Sequence, residues 1–491
     1  MYLDLYLGRH RQVFDPYRRP DEGPYLTTNI LGAVSRLTAH RLFGEAPQPR
    51  AKGVSGFGSW VSGNDYAEAG AGTRNSEPEI RNPKQALLDF LCGSNAWQQL
   101  CYQGALGGSY RGDTVFKVRY DAAQDAVVME EVPPTCFFPE FAEDQQEEIV
   151  AVSVATAVSG SGFRVSSTTA PDCPRPETRN PGLETAVTWL LEERHTPGLI
   201  ENRLWKLVAV PGEPRYLRQP AALTALEATA ELEPLVETGL DVIPFVHIPN
   251  RKIAESGTWG QSDYVDLQSL QEALNRRKTQ TGNILDKHAD PLLAIDESFL
   301  DENRRLDMDR IRAIPLVQDE PPPQYITWDG KLSDSRAEAD DLVQKILLVA
   351  GISPESFGLG QGSAAESGRA IALRQVMTTS TVAGKRLHWE PGLRKLLSIA
   401  TKMYVAHVRR LPSPPSPLPL GEGLGVRALE PEEIAIEFGD GLPRDFGDAI
   451  RDEVALQGAN LASKEASLTR LFPGWSPADV EAEIRRITAT A

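Results

Sequence analysis

The side chains able to carry chemistry are scattered along this chain rather than gathered at a familiar spacing. The four cysteines, Cys92, Cys101, Cys136 and Cys173, form no C-x-x-C pair and have no histidine cluster beside them. Neither a zinc site nor a disulfide framework is expected, and free thiols in a reducing compartment are the reading. The seven histidines are equally dispersed and read as ordinary core or surface residues. Gly384-Lys385 lacks the earlier glycine and the following Ser or Thr of a phosphate-cradling loop. No H-E-x-x-H and no G-x-S-x-G is present. Gly358-Leu-Gly-Gln-Gly362 is glycine-rich, but its spacing is not the dinucleotide fingerprint and no strand is expected before it, so it reads as a mobile loop.

Three charged groupings remain. Glu140, Glu143, Asp144, Glu147 and Glu148 form an acidic run without the Asp/Asn/Gly pattern of a calcium loop, which points to a solvated face. Arg111-Gly112-Asp113 is explained by a turn between Gly107-Gly108 and a strand. Arg276, Arg277 and Lys278 cluster on an expected helix, where they serve a phosphate contact, an intersubunit ion pair or simply a solvated surface. No catalytic, cofactor-binding or metal-binding residue is expected. A site assembled from distant residues leaves no local motif, so an enzyme with a dispersed site stays among the alternatives.

Composition sets the frame for these residues. The chain has 491 residues, 41% hydrophobic and 24% charged, an ordinary globular balance that predicts about three domains or lobes. A net charge of -17 argues against a protein whose task is to grip nucleic acid by its phosphates. No apolar run approaches the ~18 residues of a membrane span, and Met1-Tyr-Leu-Asp-Leu-Tyr lacks a signal peptide's basic start; a cytosolic setting is expected.

Hydrophobic periodicity predicts a mixed first half and a helical second half. A short helix is expected around Asn29–Leu37, a long loop over 47–82, and one helix over Pro83–Gln103. A hairpin follows, with Phe116–Tyr120 and Ala126–Met129 joined by a turn at Asp121–Asp125. Further strands are expected at Ile149–Ala157, Leu204–Val210 and Ile243–Ile248, with a loop-like interruption at Ser159–Pro181. From Gly260 long helices take over. Tyr264, Leu267, Leu270 and Leu274 form an apolar stripe, but the next turns, Asn275–Asn283, are polar. Such a helix is exposed along part of its length or packed against another subunit. A compact β-containing insertion is predicted from Pro291 to about Gly330. A second helix follows, with Ser335 and Glu338 as a capping box, Ala339, Leu342, Val343, Ile346, Leu347 and Ala350 on one face, and Gly351 as its C-cap. A flexible loop over 352–363 leads into a long helix over Ala364–Arg409, kinked at Pro391. The Pro-rich 411–431 is a solvated linker, and the tail carries a strand at Ile434–Phe438 and short helices.

From Ile243 onward this order resembles the portal proteins of tailed double-stranded DNA bacteriophages. The resemblance rests on Ile243-Pro-Phe-Val-His-Ile-Pro-Asn250, Gly260-Gln-Ser-Asp-Tyr-Val-Asp-Leu-Gln-Ser-Leu-Gln-Glu-Ala-Leu-Asn275, the inserted segment and second helix, and Glu366-Ser-Gly-Arg-Ala-Ile-Ala-Leu373. Phe438-Gly-Asp-Gly-Leu-Pro-Arg-Asp445 and Ser463-Lys-Glu-Ala-Ser-Leu468 extend it, and together these cover roughly half the chain. The resemblance implies an α+β portal fold and a homo-oligomeric ring, commonly a dodecamer, at one capsid vertex of a virion assembled in the bacterial host cytoplasm. Residues 1–260 would form most of the wing, 261–289 and 332–351 the stem helices, 290–331 the clip, 364–410 a long wing helix and 432–491 the crown. Residues 411–431 depart from the pattern. The loop 352–363, with Glu355, Ser356, Phe357, Gly358, Leu359, Gly360, Gln361, Gly362 and Ser363, would be the tunnel loop facing double-stranded DNA. Arg276, Arg277 and Lys278 would be stem contacts. Implied partners are further copies of the chain, DNA in transit, the terminase, scaffold or capsid protein, and head-completion proteins; no membrane and no cofactor is implied. The competing expectations are another oligomeric scaffold or adaptor, which forms dimers or filaments, and a nucleic-acid-processing enzyme.

Overall fold

Alternation of apolar and polar side chains does build the first sheet. The computed structural model describes residues 1–19, 23–52, 83–143, 148–158, 188–210, 216–253, 257–289, 292–294, 324–326, 332–359, 373–407, 427–439, 446–459, 461–472, 475 and 477–490. Cys173, the expected interruption at Ser159–Pro181, Gly360–Ser363 and most of the segments expected as the clip (290–331) and the Pro-rich linker (411–431) lie outside these residues. The architecture is α+β. In chain order the elements begin with α1 Tyr2–Tyr6, α2 His10–Phe14, α3 Ile30–Phe43, β1 Gln48–Ala51, α4 Pro83–Ser94 and α5 Trp97–Arg111. Strands follow: β2 Asp113–Asp121, β3 Ala126–Val132, β4 Phe137–Phe141, β5 Ile149–Val158, β6 Thr188–Thr196, β7 Leu199–Ala209, β8 Tyr216–Ala221, β9 Leu235–Glu237 and β10 Phe245–Pro249. The helical half has α6 Gln268–Ala289, β11 Leu292–Ala294, β12 Gln324–Ile326, α7 Leu332–Val349, α8 Val376–His407 and β13 Ile434–Glu437. It ends with α9 Phe446–Gly458, α10 Lys464–Leu471 and α11 Pro477–Thr490.

Two compact units are distinguished: Met1–Val34 with Tyr264–Gly358, and Ser35–Asp263 with Leu359–Ala491. In the second, β2 is central to a three-stranded antiparallel sheet, with Val118 opposite Met129 on β3 and Lys117 opposite Phe245 on β10. Val382, Trp389, Leu393, Leu396, Leu397 and Ala400 on one face of α8 are buried in the core that covers this sheet. Trp389 meets Phe43 edge-on at 4.8 Å. Helix α8 runs unbroken through Pro391. A separate sheet has the order β4-β5-β6-β7-β8, with β9 also paired to β7.

Several expectations change. Helix 83–103 is two helices, because Ala96 turns left-handed at φ 46°. Asn95 is the cause: its side chain donates to Leu91 O and Val127 O and accepts from Met129 N, tying the break to β3. The loop expected over 47–82 contains β1, which pairs with β13 at the far end of the sequence. Strand β6 was illegible because Leu191, Glu193 and His195 alternate onto one face, putting charge where the pattern needs apolar residues. Arg111-Gly112-Asp113 is a turn: Gly112, at φ 100°, caps α5 and β2 starts at the next residue.

In the first unit α6 and α7 pack antiparallel, since Thr281 meets Ser335 and Arg277 meets Glu338. Those two contacts replace the expected capping box: α7 begins at Leu332, so Ser335 and Glu338 lie inside the helix. The predicted apolar face holds, with Ala339, Leu342, Ile346 and Leu347 buried. One side of the polar middle of α6 is not left to water: Asn275 and Thr279 are buried, while Arg276, Arg277 and Gln280 stay exposed as expected. Its residues receive the chain's own N-terminal segment, with Thr28 N donating to Asn275 Oδ1, Leu26 N to Thr279 Oγ1 and Gln271 Nε2 to Thr28 O. Strands β11 and β12, which flank the insertion, pair antiparallel with Leu292 opposite Ile326.

Candidate functional site

The loop after α7 is built by its helix cap. Gly351 takes φ 68°, and Ile352 N donates to Leu347 O while Gly351 N donates to Leu348 O, the doubled bonds that end a helix on a left-handed glycine. Ile352 is buried and acts as the anchor. Pro354–Phe357 then forms one tight turn, closed by Gly358 N donating to Glu355 O. Gly358 has φ 71° and open space where a Cβ would stand. Glu355, Ser356 and Phe357 are half-buried, and Gly358 and Leu359 are exposed. From Gly351 to Leu359 the segment carries one carboxylate and no Lys or Arg. Gly360, Gln361, Gly362 and Ser363, the rest of the expected loop, are outside the described residues.

The basic cluster on α6 is engaged within the chain. Arg276 pairs with Glu272 one turn earlier at 2.8 Å, and Arg277 pairs with Glu338 of α7 at 2.8 Å. All four side chains are more than a third exposed, so solvent and salt screen these pairs. Lys278 is half-buried on the same helix.

A third grouping escaped the sequence. Lys385 on α8 is buried, and its Nζ donates to Asn250 Oδ1 at 2.5 Å and to both oxygens of Asp263 at 2.8 Å. Asn250 Nδ2 and Ser109 Oγ also donate to Asp263, at 2.9 and 2.7 Å. Next to it His247 Nε2 lies 2.7 Å from Asp113 Oδ1, which also accepts from Gly260 N. The partners of Lys385 lie more than 100 residues upstream, so no spacing announces them. The one local signal is a lysine on the buried face of α8, in step with Val382 and Trp389. A buried charge requires such partners, and the arrangement holds backbone segments in place.

On the six-stranded sheet, His195 is fully buried. Its Nε2 lies 3.4 Å from Glu193 Oε2 without hydrogen-bond alignment, while Lys117 Nζ reaches Glu193 at 2.7 Å. Burial holds the His195 ring below its ordinary pKa, and Lys117 adds to this against the pull of Glu193. Burial raises the Glu193 carboxyl, but His195 and Lys117 outweigh it and keep it well below the usual range. A concavity of about 700 Å³ on that sheet is lined by Leu204, Trp205, Ala221, Leu223, Leu232 and Pro234, among others, and by none of the residues of the two polar groupings. Among the described residues no group of His, Cys, Asp and Glu could hold a metal ion, and no helix is long and apolar enough to cross a membrane. Burial raises the thiol pKa of Cys92 and of Cys101, so both are poor nucleophiles.

No family profile matches the sequence, and no curated protein matches it. Among solved structures the chain is similar to a chain of the neck of a native gene transfer agent particle computed with C12 symmetry. That likeness has 12% identity and a TM-score of 0.38, and covers 90% of this chain and 89% of that one. It is also similar to a chain of the virion of a native gene transfer agent particle, at 11% identity and a TM-score of 0.41, over 91% of this chain and 89% of that one.

Proposed function

We propose that this chain is a portal-type structural subunit that assembles as a ring at one vertex of a tailed-phage capsid and there forms the channel for DNA packaging and ejection. One observation carries the reading: α6, an insertion whose ends pair as β11 and β12, the antiparallel α7, a glycine-capped turn without basic residues, and the long α8 follow one another in that order. A helix of 22 residues spans about 33 Å, long enough to line a channel wall. In this reading α6 and α7 are the stem, the insertion is the clip that docks the terminase and later the head-completion proteins, and Glu355–Ser363 faces DNA. Residues 1–260 and the long helix over 364–410 are the wing, and 432–491 are the crown. Scaffold or capsid protein is the remaining partner, and no catalysis is required of the chain.

The electrostatics suit passage rather than grip. Each phosphate neutralised by Lys or Arg adds affinity and slows sliding; the turn offers only Glu355, and the chain carries -17 overall. The test is the assembly state of the purified chain by mass photometry and negative-stain imaging. Closed rings are expected. Dimers or open filaments would favour the oligomeric-scaffold alternative, and a monomer at every salt concentration would remove the portal reading.

A further inference from the structure

The chain passes between the two units after Val34, after Asp263 and after Gly358. Two of these exits begin on the second unit's side with a polar contact to the buried Ser109, at Ser35 and at Asp263. Ser35 Oγ lies 2.8 Å from Ser109 Oγ, and Ser109 Oγ lies 2.7 Å from Asp263 Oδ2. The bond directions follow from chemistry. The Asp263 carboxylate only accepts, so Ser109 donates to it, and the Ser109 oxygen is left to accept from Ser35. The chain of bonds ends on the Lys385 ammonium, which holds both carboxylate oxygens at 2.8 Å. Ser35 and Ser109 are 0% and 1% exposed, so water cannot readily replace the bond between them, while the bond to Asp263 is part-buried.

The backbone around Asp263 is seated just as closely. Asp263 N donates to Ser109 O, and Ser262 Oγ reaches Tyr110 O at 2.8 Å. Gly260 and Gly112 meet so tightly that a Cβ on Gly260 would stand 2.2 Å from Gly112 O.

We infer that Ser35, Ser109, Asp263 and Lys385 form a clamp that couples two exits of the chain from the second unit, so that they loosen together and not one at a time. This is a conformational device of the fold, and it does not depend on the portal proposal: either can fail while the other stands.

Hydrogen–deuterium exchange on the full chain tests it. Ser109→Ala removes the shared bridge. Exchange should rise about tenfold or more in peptides covering both 30–37 and 260–266, while peptides from β5 to β7 keep wild-type protection. A rise in only one of the two segments, or in neither, overturns the clamp. Should Ser109→Ala lose protection everywhere, Ser35→Ala decides. It removes the Ser35–Ser109 bond at the first exit and leaves Asp263 with Ser109, Asn250 and Lys385. Faster exchange at 260–266, far along the sequence from the substitution, supports coupling, and unchanged exchange there refutes it.

Discussion

Asn275 sits on a helix face that hydropathy alone would leave in water, yet it is fully buried. It accepts from Thr28 N and Gln271 Nε2, and its Nδ2 lies 2.8 Å from His10 Nδ1. His10 Nε2 is 2.9 Å from Leu5 O, a group that only accepts, so this nitrogen carries the proton and Nδ1 accepts from Asn275. Asn275→Ala strands these partners and should cost about 2–3 kcal/mol in denaturant unfolding. Arg277→Ala, which breaks the exposed pair with Glu338 and an exposed hydrogen bond to Gln280, should cost under about 0.5 kcal/mol. Burial lowers the His10 pKa, against the pull of its hydrogen bonds to Leu5 and Asn29. The unfolded ring protonates near ~6.5 while the folded one resists. The stabilisation is therefore complete above that pH and is lost as pH falls towards the lowered folded value. Thermal unfolding from pH 7.5 to 5.5 should show a falling midpoint, and His10→Gln should flatten the slope. An unchanged slope in that variant would place the titration elsewhere, with His195 the next group to test.

Helix α8 predicts opposite outcomes for one substitution at two glycines eight residues apart. Gly384 is exposed, with nothing within 4 Å of where a Cβ would stand. Gly384→Ala should therefore stabilise by about 0.5–1 kcal/mol through helix propensity. At Gly392 the same Cβ would stand 2.5 Å from Ile248 of β10, and overpacking should outweigh propensity for a net loss of about 1–3 kcal/mol. Equal shifts in the two variants would contradict the close approach of α8 and β10. At the end of α7, Gly351→Ala forces a Cβ into the left-handed region and should cost about 1 kcal/mol. Element ends were the part least legible in advance. For the break in helix 83–103 the sequence offers Gly93-Ser94-Asn95, but what fixes it is Asn95 bonding to Val127 and Met129, which stand opposite it only in the fold. Ser335 and Glu338 have the spacing of a cap, but their side chains go to Thr281 and Arg277 across the helix pair.

At the scale of the whole molecule the proposal predicts a particle mass. Twelve copies of a 53.8 kDa chain form an assembly of about 650 kDa, and other ring sizes give other multiples of the same unit. The assembled protein should retain duplex DNA weakly at physiological salt, and Glu355→Lys should raise that retention and steepen its salt dependence. A gel-shift titration at two salt concentrations measures both. No gain in the variant would mean that the turn after α7 does not meet DNA.

Periodicity alone determined that this chain has a mixed first half and long helices after Gly260, because a buried stripe must recur with the helix's own period wherever the helix packs. It placed β2, β3 and the apolar faces of α6 and α7, and it marked Gly351 as a cap, since each depends on residues close in sequence. Tertiary structure decided what cannot be local. The polar turns of α6 proved to be a seat for residues 23–29, strand β1 found its partner at Ile434–Glu437, and Lys385 found Asp263 across more than 100 residues. The physical reason is the same in each case. A buried polar or charged group is tolerable only with a hydrogen-bonding partner, and that partner is set by how the chain folds back on itself, not by what stands beside it in sequence.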